Sequence, residues 1–138
     1  MMNKNELINE VEYTVLVYSI IDYFKAISLP KSVFTAFLIK RCMLGSNGLG
    51  NREYGIINEV LPHLRTQFSL HSNDFSSILK AIHILRVANY ISVEGDMLVS
   101  LDKKIDEPCE FGRGYTKLFE EIKKMNDIWF MEEVLSYV

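Results

Sequence analysis

Little in this chain serves covalent or metal chemistry. Among its 138 residues are only two cysteines, Cys42 and Cys109, too few for a disulfide framework and too far apart for a CxxC pair, so a reducing compartment is the expected setting. Histidine is scarce as well. His63, His71 and His83 form no HExxH and no one-turn pair with a carboxylate between, which excludes the common zinc patterns. No basic excess exists either: 15 Lys and Arg against 18 Asp and Glu leave a formal charge of -3, which excludes a general nucleic-acid binder and makes any contact with DNA local. No stretch approaches the roughly 18 uninterrupted apolar residues of a membrane span. The N-terminal MMNKNELINEVEYT has neither a basic n-region nor an apolar run with a cleavage site, so a cytoplasmic chain, neither secreted nor membrane-spanning, is expected.

Apolar material is abundant. With 49% hydrophobic and 24% charged residues, the chain has enough for its own core, and a single domain over residues 1–138 is expected. Helix is expected from Glu6 to Lys25, then a short break at Ala26 to Leu29. Pro30, preset for a first turn, opens a second helix that runs to about Leu44. Gly45 to Asn51 reads as loop, Glu53 to Leu61 as a short helix before Pro62, and His63 to His71 as a connection. Helices from Tyr115 to Met125 and from a cap at Asp127 to Tyr137 close the chain.

The stretch from Ser72 to Leu101 carries the fold class. Ser72 and Asn73 are good helix caps, and Asp74 complements the positive helix end. Phe75, Ile78, Leu79, Ile82 and Leu85 recur at helical spacing and are expected in the core. Asn89 suits a left-handed exit. Tyr90 to Val93 and Met97 to Leu101 then alternate around Glu94-Gly95-Asp96, a hairpin closed on glycine. A capped helix running straight into a tight hairpin is the sequence form of a winged-helix domain. The expected class is therefore mainly α: a winged-helix domain with a small β-hairpin wing and a C-terminal helical tail.

No catalytic, cofactor-binding or metal-binding residue can be assigned. Gly45, Gly48 and Gly50 follow no strand and precede no Gly-Lys-Ser/Thr, so loop flexibility accounts for them. Asp106, Glu107 and Glu110 around Pro108 and Cys109 read as a solvated connector. Such neighbours raise a thiol pKa and disfavour a nucleophile. The expectation is a protein that is not an enzyme and needs no cofactor.

The first helix points to a partner instead. Tyr13, Val17, Ile20 and Phe24 form one apolar stripe, while Leu7, Val11, Val15, Tyr18 and Ile21 form another roughly opposite. A surface helix needs one such stripe, so the second is expected either to be wrapped by the other helices or to meet a partner. On the capped helix that leads into the hairpin, the side away from the core holds Ser76, Ser77, Lys80, His83, Ile84 and Val87. Only Lys80 and His83 offer positive charge to DNA, and the carboxylates of Glu94 and Asp96 at the hairpin tip would repel phosphate. Arg86 is expected to lay its stem along the core edge and pair with a carboxylate or with helix-end carbonyls. Trp129 and Phe130 point about 100° apart on the last helix, so one can anchor an interface. The partner-facing candidates are thus Tyr13, Val17, Ile20, Phe24, Ile84, Val87, Trp129 and Phe130.

The order of segments is EYTVLVYSIIDYF, LPKSVFTAFLIKRCML, a long loop, SILKAIHILRVANYI with VEGDMLVSL, and the tail FEEIKKMNDIWFMEEVLSYV. It resembles the small middle component of bacterial ABC-three-component systems, including the Lamassu-type anti-phage defence systems. The resemblance covers nearly the whole chain as a pattern of helices and apolar positions, without a catalytic signature. It implies a non-catalytic accessory subunit that binds an SMC/Rad50-like ATPase and helps assemble or restrain an effector such as a nuclease, with DNA reached through the complex. The alternative is a winged-helix DNA-binding transcriptional regulator; a small enzyme or toxin has no residue to support it.

Overall fold

From Lys4 to Phe24 the chain holds no glycine or proline, and nothing interrupts the first helix, α1 (Lys4–Phe24). The structure, a computed structural model, describes residues 4–43, 64–111 and 113–136. After α1 come β1 (Ala26–Ser28), α2 (Leu29–Phe37) continuing into a short π-helical stretch (Leu38–Met43), α3 (Leu64–His71), α4 (Asp74–Val87), β2 (Ile91–Glu94), β3 (Met97–Ser100), α5 (Arg113–Lys124) and α6 (Asp127–Ser136). The described residues are mainly helical, with one open antiparallel sheet of three strands. The chain clusters into two compact units, each made of two separate stretches: Met1–Ala36 with Asn73–Glu110, and Phe37–Ser72 with Phe111–Val138.

In the first unit α1 packs along α4. Tyr13, Leu16, Val17, Tyr18, Ile20 and Ile21 of α1 are buried, as are Ile78, Ala81, Ile82 and Leu85 of α4. At the start of α4 the expected cap is absent. Asn73 has helical dihedrals and makes no side-chain cap bond. Asp74 has turned inward instead: it is buried, and its carboxylate accepts hydrogen bonds from Tyr13 Oη at 2.7 Å and Asn9 Nδ2 at 3.2 Å. The carboxylate expected to favour the helix dipole from outside thus ties two helices together, and the tyrosine bond answers the cost of burying it. The C-terminal end follows the expectation. Asn89 is left-handed, its amide donates to Arg86 O, and the Tyr90 amide donates to Leu85 O, the paired closure that satisfies last-turn carbonyls.

The break expected at Ala26 to Leu29 is a strand. Lys25 leaves α1 with a φ of 66°, and β1 pairs antiparallel with β3, Ile27 opposite Leu98, giving the sheet order β1-β3-β2. Three residues are too few for alternation to show in sequence, and long-range pairing made them a strand. Ile27, Ile91 and Leu98 are buried. The hairpin sets Glu94 opposite Met97 around Gly95 and Asp96. Gly95 has a φ of +65°, and a Cβ there would meet nothing within 4 Å, so glycine is required by backbone conformation and not by space. Ser28 Oγ caps α2 by accepting from the Lys31 amide at 3.4 Å, and Pro30 sits in the first turn as expected. The second helix turns π-helical beyond Phe37, and its expected end at Leu44 lies outside the described residues.

In the second unit, α3 occupies most of the segment expected to be a mere connection. LRTQFSLH is weakly apolar, but Leu64 is fully buried and the Phe37 and Phe68 rings lie 6.4 Å apart, so packing against the π-helical stretch supports a helix too short to stand alone. The loop expected at Gly45 to Asn51 and the helix at Glu53 to Leu61 lie outside the described residues. α5 buries Tyr115, Leu118, Phe119 and Ile122, an i, i+3, i+4, i+7 set. α6 begins where expected, but Asn126 caps it: Asn126 Oδ1 accepts from the Trp129 amide at 2.8 Å.

Candidate interaction surface

The outer side of α4 in the first unit is one of the places where large apolar groups meet solvent, others being the start of α1 and the exposed side of α6. A helix turns about 100° per residue, so with Asp74, Ile78, Ala81, Ile82 and Leu85 facing inward, Leu79 and Val87 are left outside, 51% and 66% exposed. Leu79 was expected in the core. The buried face is centred near Leu85 and Ile78 and extends toward the polar Asp74 and the small Ala81, away from Leu79, a side that a reading weighted by bulk passes over. Leu29 at the start of α2 and Val93 on β2 are exposed too, and with Leu79, His83, Arg86 and Asp96 they border a hollow of about 210 Å³ between α4 and the hairpin.

Charge on this side is mixed. Lys80 forms an ion pair with Glu10 at 3.1 Å, so the lysine expected to meet DNA is already neutralised by α1. His83 and Arg86 are exposed. Arg86 makes no ion pair among the described residues, contrary to the carboxylate or carbonyl partner expected of it. Glu94 and Asp96 stand exposed at the turn.

A second hollow, of about 490 Å³, opens on the other flank of α4, toward α1 and the segment 101–110. Side-chain bonds hold that segment in place. Tyr18 Oη donates to Lys103 O at 2.9 Å, the Cys109 amide donates to Ser19 Oγ at 2.8 Å, and Lys103 Nζ donates to Ala88 O at 3.0 Å while lying 4.4 Å over the Tyr90 ring. Burial, helped by the Asp22 charge, pushes the Tyr18 phenol above its ordinary value. Burial also pushes the Cys109 thiol up, against a hydrogen bond with Ser19. The direction expected for Cys109 holds, but desolvation causes it and not the acidic neighbours.

The remaining candidates separate sharply. Tyr13, Val17 and Ile20 are fully buried, and Phe24 is half-buried with its ring 5.6 Å from that of Tyr23. The first three are therefore core residues of the chain, packed inside and not on its surface. The opposite stripe is divided: Tyr18 and Ile21 are buried and Val15 half-buried, while Leu7 and Val11 at the N-terminal end are exposed. Ile84 and Val87 are exposed as a docking role requires. Of the tail pair, Trp129 is 63% exposed and Phe130 fully buried, so only the tryptophan can anchor an interface. Among the described residues no group of three or more His, Cys, Asp or Glu side chains could hold a metal ion, and no helix is long and apolar enough to cross a membrane. No family model, curated protein or solved structure matches the chain.

Proposed function

We propose that the first unit is a winged-helix domain and that the chain is a non-catalytic accessory subunit of an anti-phage defence complex, docking on an SMC-like ATPase and helping to hold an effector such as a nuclease. The winged-helix reading is supported by the sequence of elements: α1, β1, α2, then α4 leading directly into a hairpin whose return strand is flanked by β1. One observation carries the assembly reading. On α4 and its hairpin, Leu79, Val87 and Val93 are exposed together with the tip carboxylates Glu94 and Asp96. Exposed apolar side chains favour a protein partner, whereas a phosphate backbone asks for cations.

The test is co-expression with an SMC/Rad50-like coiled-coil ATPase, to be sought among the neighbouring reading frames, followed by size-exclusion chromatography. A stable complex is expected, lost on Leu79→Lys or Val87→Glu while circular dichroism of the free variants is unchanged. A complex that survives both substitutions, or no complex at all, overturns the reading. The regulator reading rests on His83 and Arg86, exposed on the same helix. It predicts duplex binding that weakens steeply between about 50 and 200 mM salt; the assembly reading expects the isolated chain to show none.

A further inference from the structure

The larger hollow has its own chemistry and shares no lining residue with the hairpin-side hollow. Its floor and walls are apolar or aromatic: Val15 and Tyr18 from α1, Ile84 from α4, Tyr90 before β2, and Ile105 from the segment behind. The Tyr18 and Tyr90 rings meet edge to face at 5.9 Å, a rigid corner. Of the hydroxyls that line it, Thr14 Oγ1 already donates to Glu10 O at 2.7 Å and Tyr18 Oη to Lys103 O at 2.9 Å. Its size, about 490 Å³, suits one large side chain and its neighbours, and the hollow is open along one side, as a passing peptide needs.

The rim carries the selectivity. Asp106 and Glu107 border the hollow and are exposed. The nearby lysines are engaged elsewhere: Lys103 with Ala88 O and the Tyr90 ring, Lys104 with Asp22 at 3.6 Å, and Lys25 with Asp22 and Asp102 at 3.1 Å each. Among the described residues, Asp106 and Glu107 are left without a cation. Two adjacent carboxylates with no cation within ion-pair distance, beside an apolar hollow, attract a positive group and repel an acidic one. We propose that this groove binds a basic segment of a partner protein, a stretch in which a large apolar side chain fills the hollow and a neighbouring Lys or Arg pairs with Asp106 and Glu107.

A library of random 12-residue peptides displayed on phage, selected against the purified full chain, tests this directly. Enriched peptides are expected to share Lys or Arg beside Leu, Phe or Trp. The best of them, synthesised and titrated calorimetrically, should lose at least tenfold in affinity for the Asp106→Asn/Glu107→Gln chain and shift the methyl resonances of Ile84 and Ile105. Leu79→Lys, the variant that tests docking through the hairpin side, should bind this peptide normally, so either surface can fail without the other. No enrichment, an acidic or neutral consensus, or an affinity unchanged by the double substitution overturns the proposal. So does sedimentation showing that the chain dimerises through this groove, since the occupant is then a second copy.

Discussion

α1 and α4 are both apolar on more than one side, and they meet opposite fates. From Tyr13 to Ile21, α1 is buried except at Thr14 and Val15, half-buried beside the larger hollow, whereas α4 buries one face and leaves Leu79, Ile84 and Val87 in solvent. Apolarity all round therefore says that a helix has more than one contact to make, and the fold decides which are made within the chain. α1 is flanked by α4 on one side and by the sheet and the segment 101–110 on others. α4 runs straight into the hairpin, the Tyr90 amide donating to Leu85 O and Ile91 buried beyond it, and its outer side has no such cover.

The largest expected effect is a charge placed in each helix. Val17→Glu puts a carboxylate at a fully buried position of α1, with a cost of at least about 4 kcal/mol, enough to unfold a marginal domain. Val87→Glu, at a position 66% exposed, should stay within about 0.5 kcal/mol. Chemical denaturation followed by circular dichroism separates the two. A folded Val17→Glu chain would reopen the first helix as a partner surface.

Smaller, and sharper, is the contrast between neighbours on α4. Ile78→Ala should cost about 2 to 5 kcal/mol, since Ile78 is fully buried and truncation leaves a cavity. Leu79→Ala, half exposed, should cost less than about 1 kcal/mol, because water already reaches much of the side chain. Equal losses would mean that the buried face is centred one residue further round the helix.

These two residues also show what the sequence could tell. The helix, its left-handed exit at Asn89 and the glycine turn were legible because each rests on local chemistry: periodicity, a residue that tolerates positive φ, a two-residue loop. β1, the inward Asp74 and the exposure of Leu79 depend on what lies across space. A three-residue strand exists only by its pairing with β3, and a carboxylate can be buried only where Tyr13 Oη meets it. The candidate surface was half legible for the same reason. Ile84 and Val87 lie opposite the core on any helical wheel, but the buried state of Tyr13, Val17 and Ile20 needed α4 in place, and the groove beside Asp106 needed the bonds from Tyr18 and Ser19 that hold the segment 101–110.

The smallest expected effect concerns how the end of α1 is fastened, where burial gives way to charge. Asp22 accepts from Lys25 Nζ and from Ser100 Oγ, each at 3.1 Å, with Lys104 Nζ 3.6 Å away. Partial burial alone would raise its carboxyl, but the Lys25 and Ser100 hydrogen bonds and the lysine charges outweigh it and hold the pKa below the ordinary 3.8. A carboxylate whose folded pKa is depressed adds stability above its unfolded pKa and loses it as pH falls through the folded value. Asp22→Asn should therefore cost no more than about 1 kcal/mol at pH 7, the pairs being largely solvent-exposed on the lysine side. The difference from the natural chain should shrink toward zero as pH is lowered through the folded pKa, below 3.8, and should also shrink at about 1 M salt. Urea midpoints of both chains at pH 7 and in acid measure it. A difference that persists unchanged in acid and in salt would mean that Asp22 holds the helix end by shape and neutral hydrogen bonding, and that charge plays no part in fastening α1.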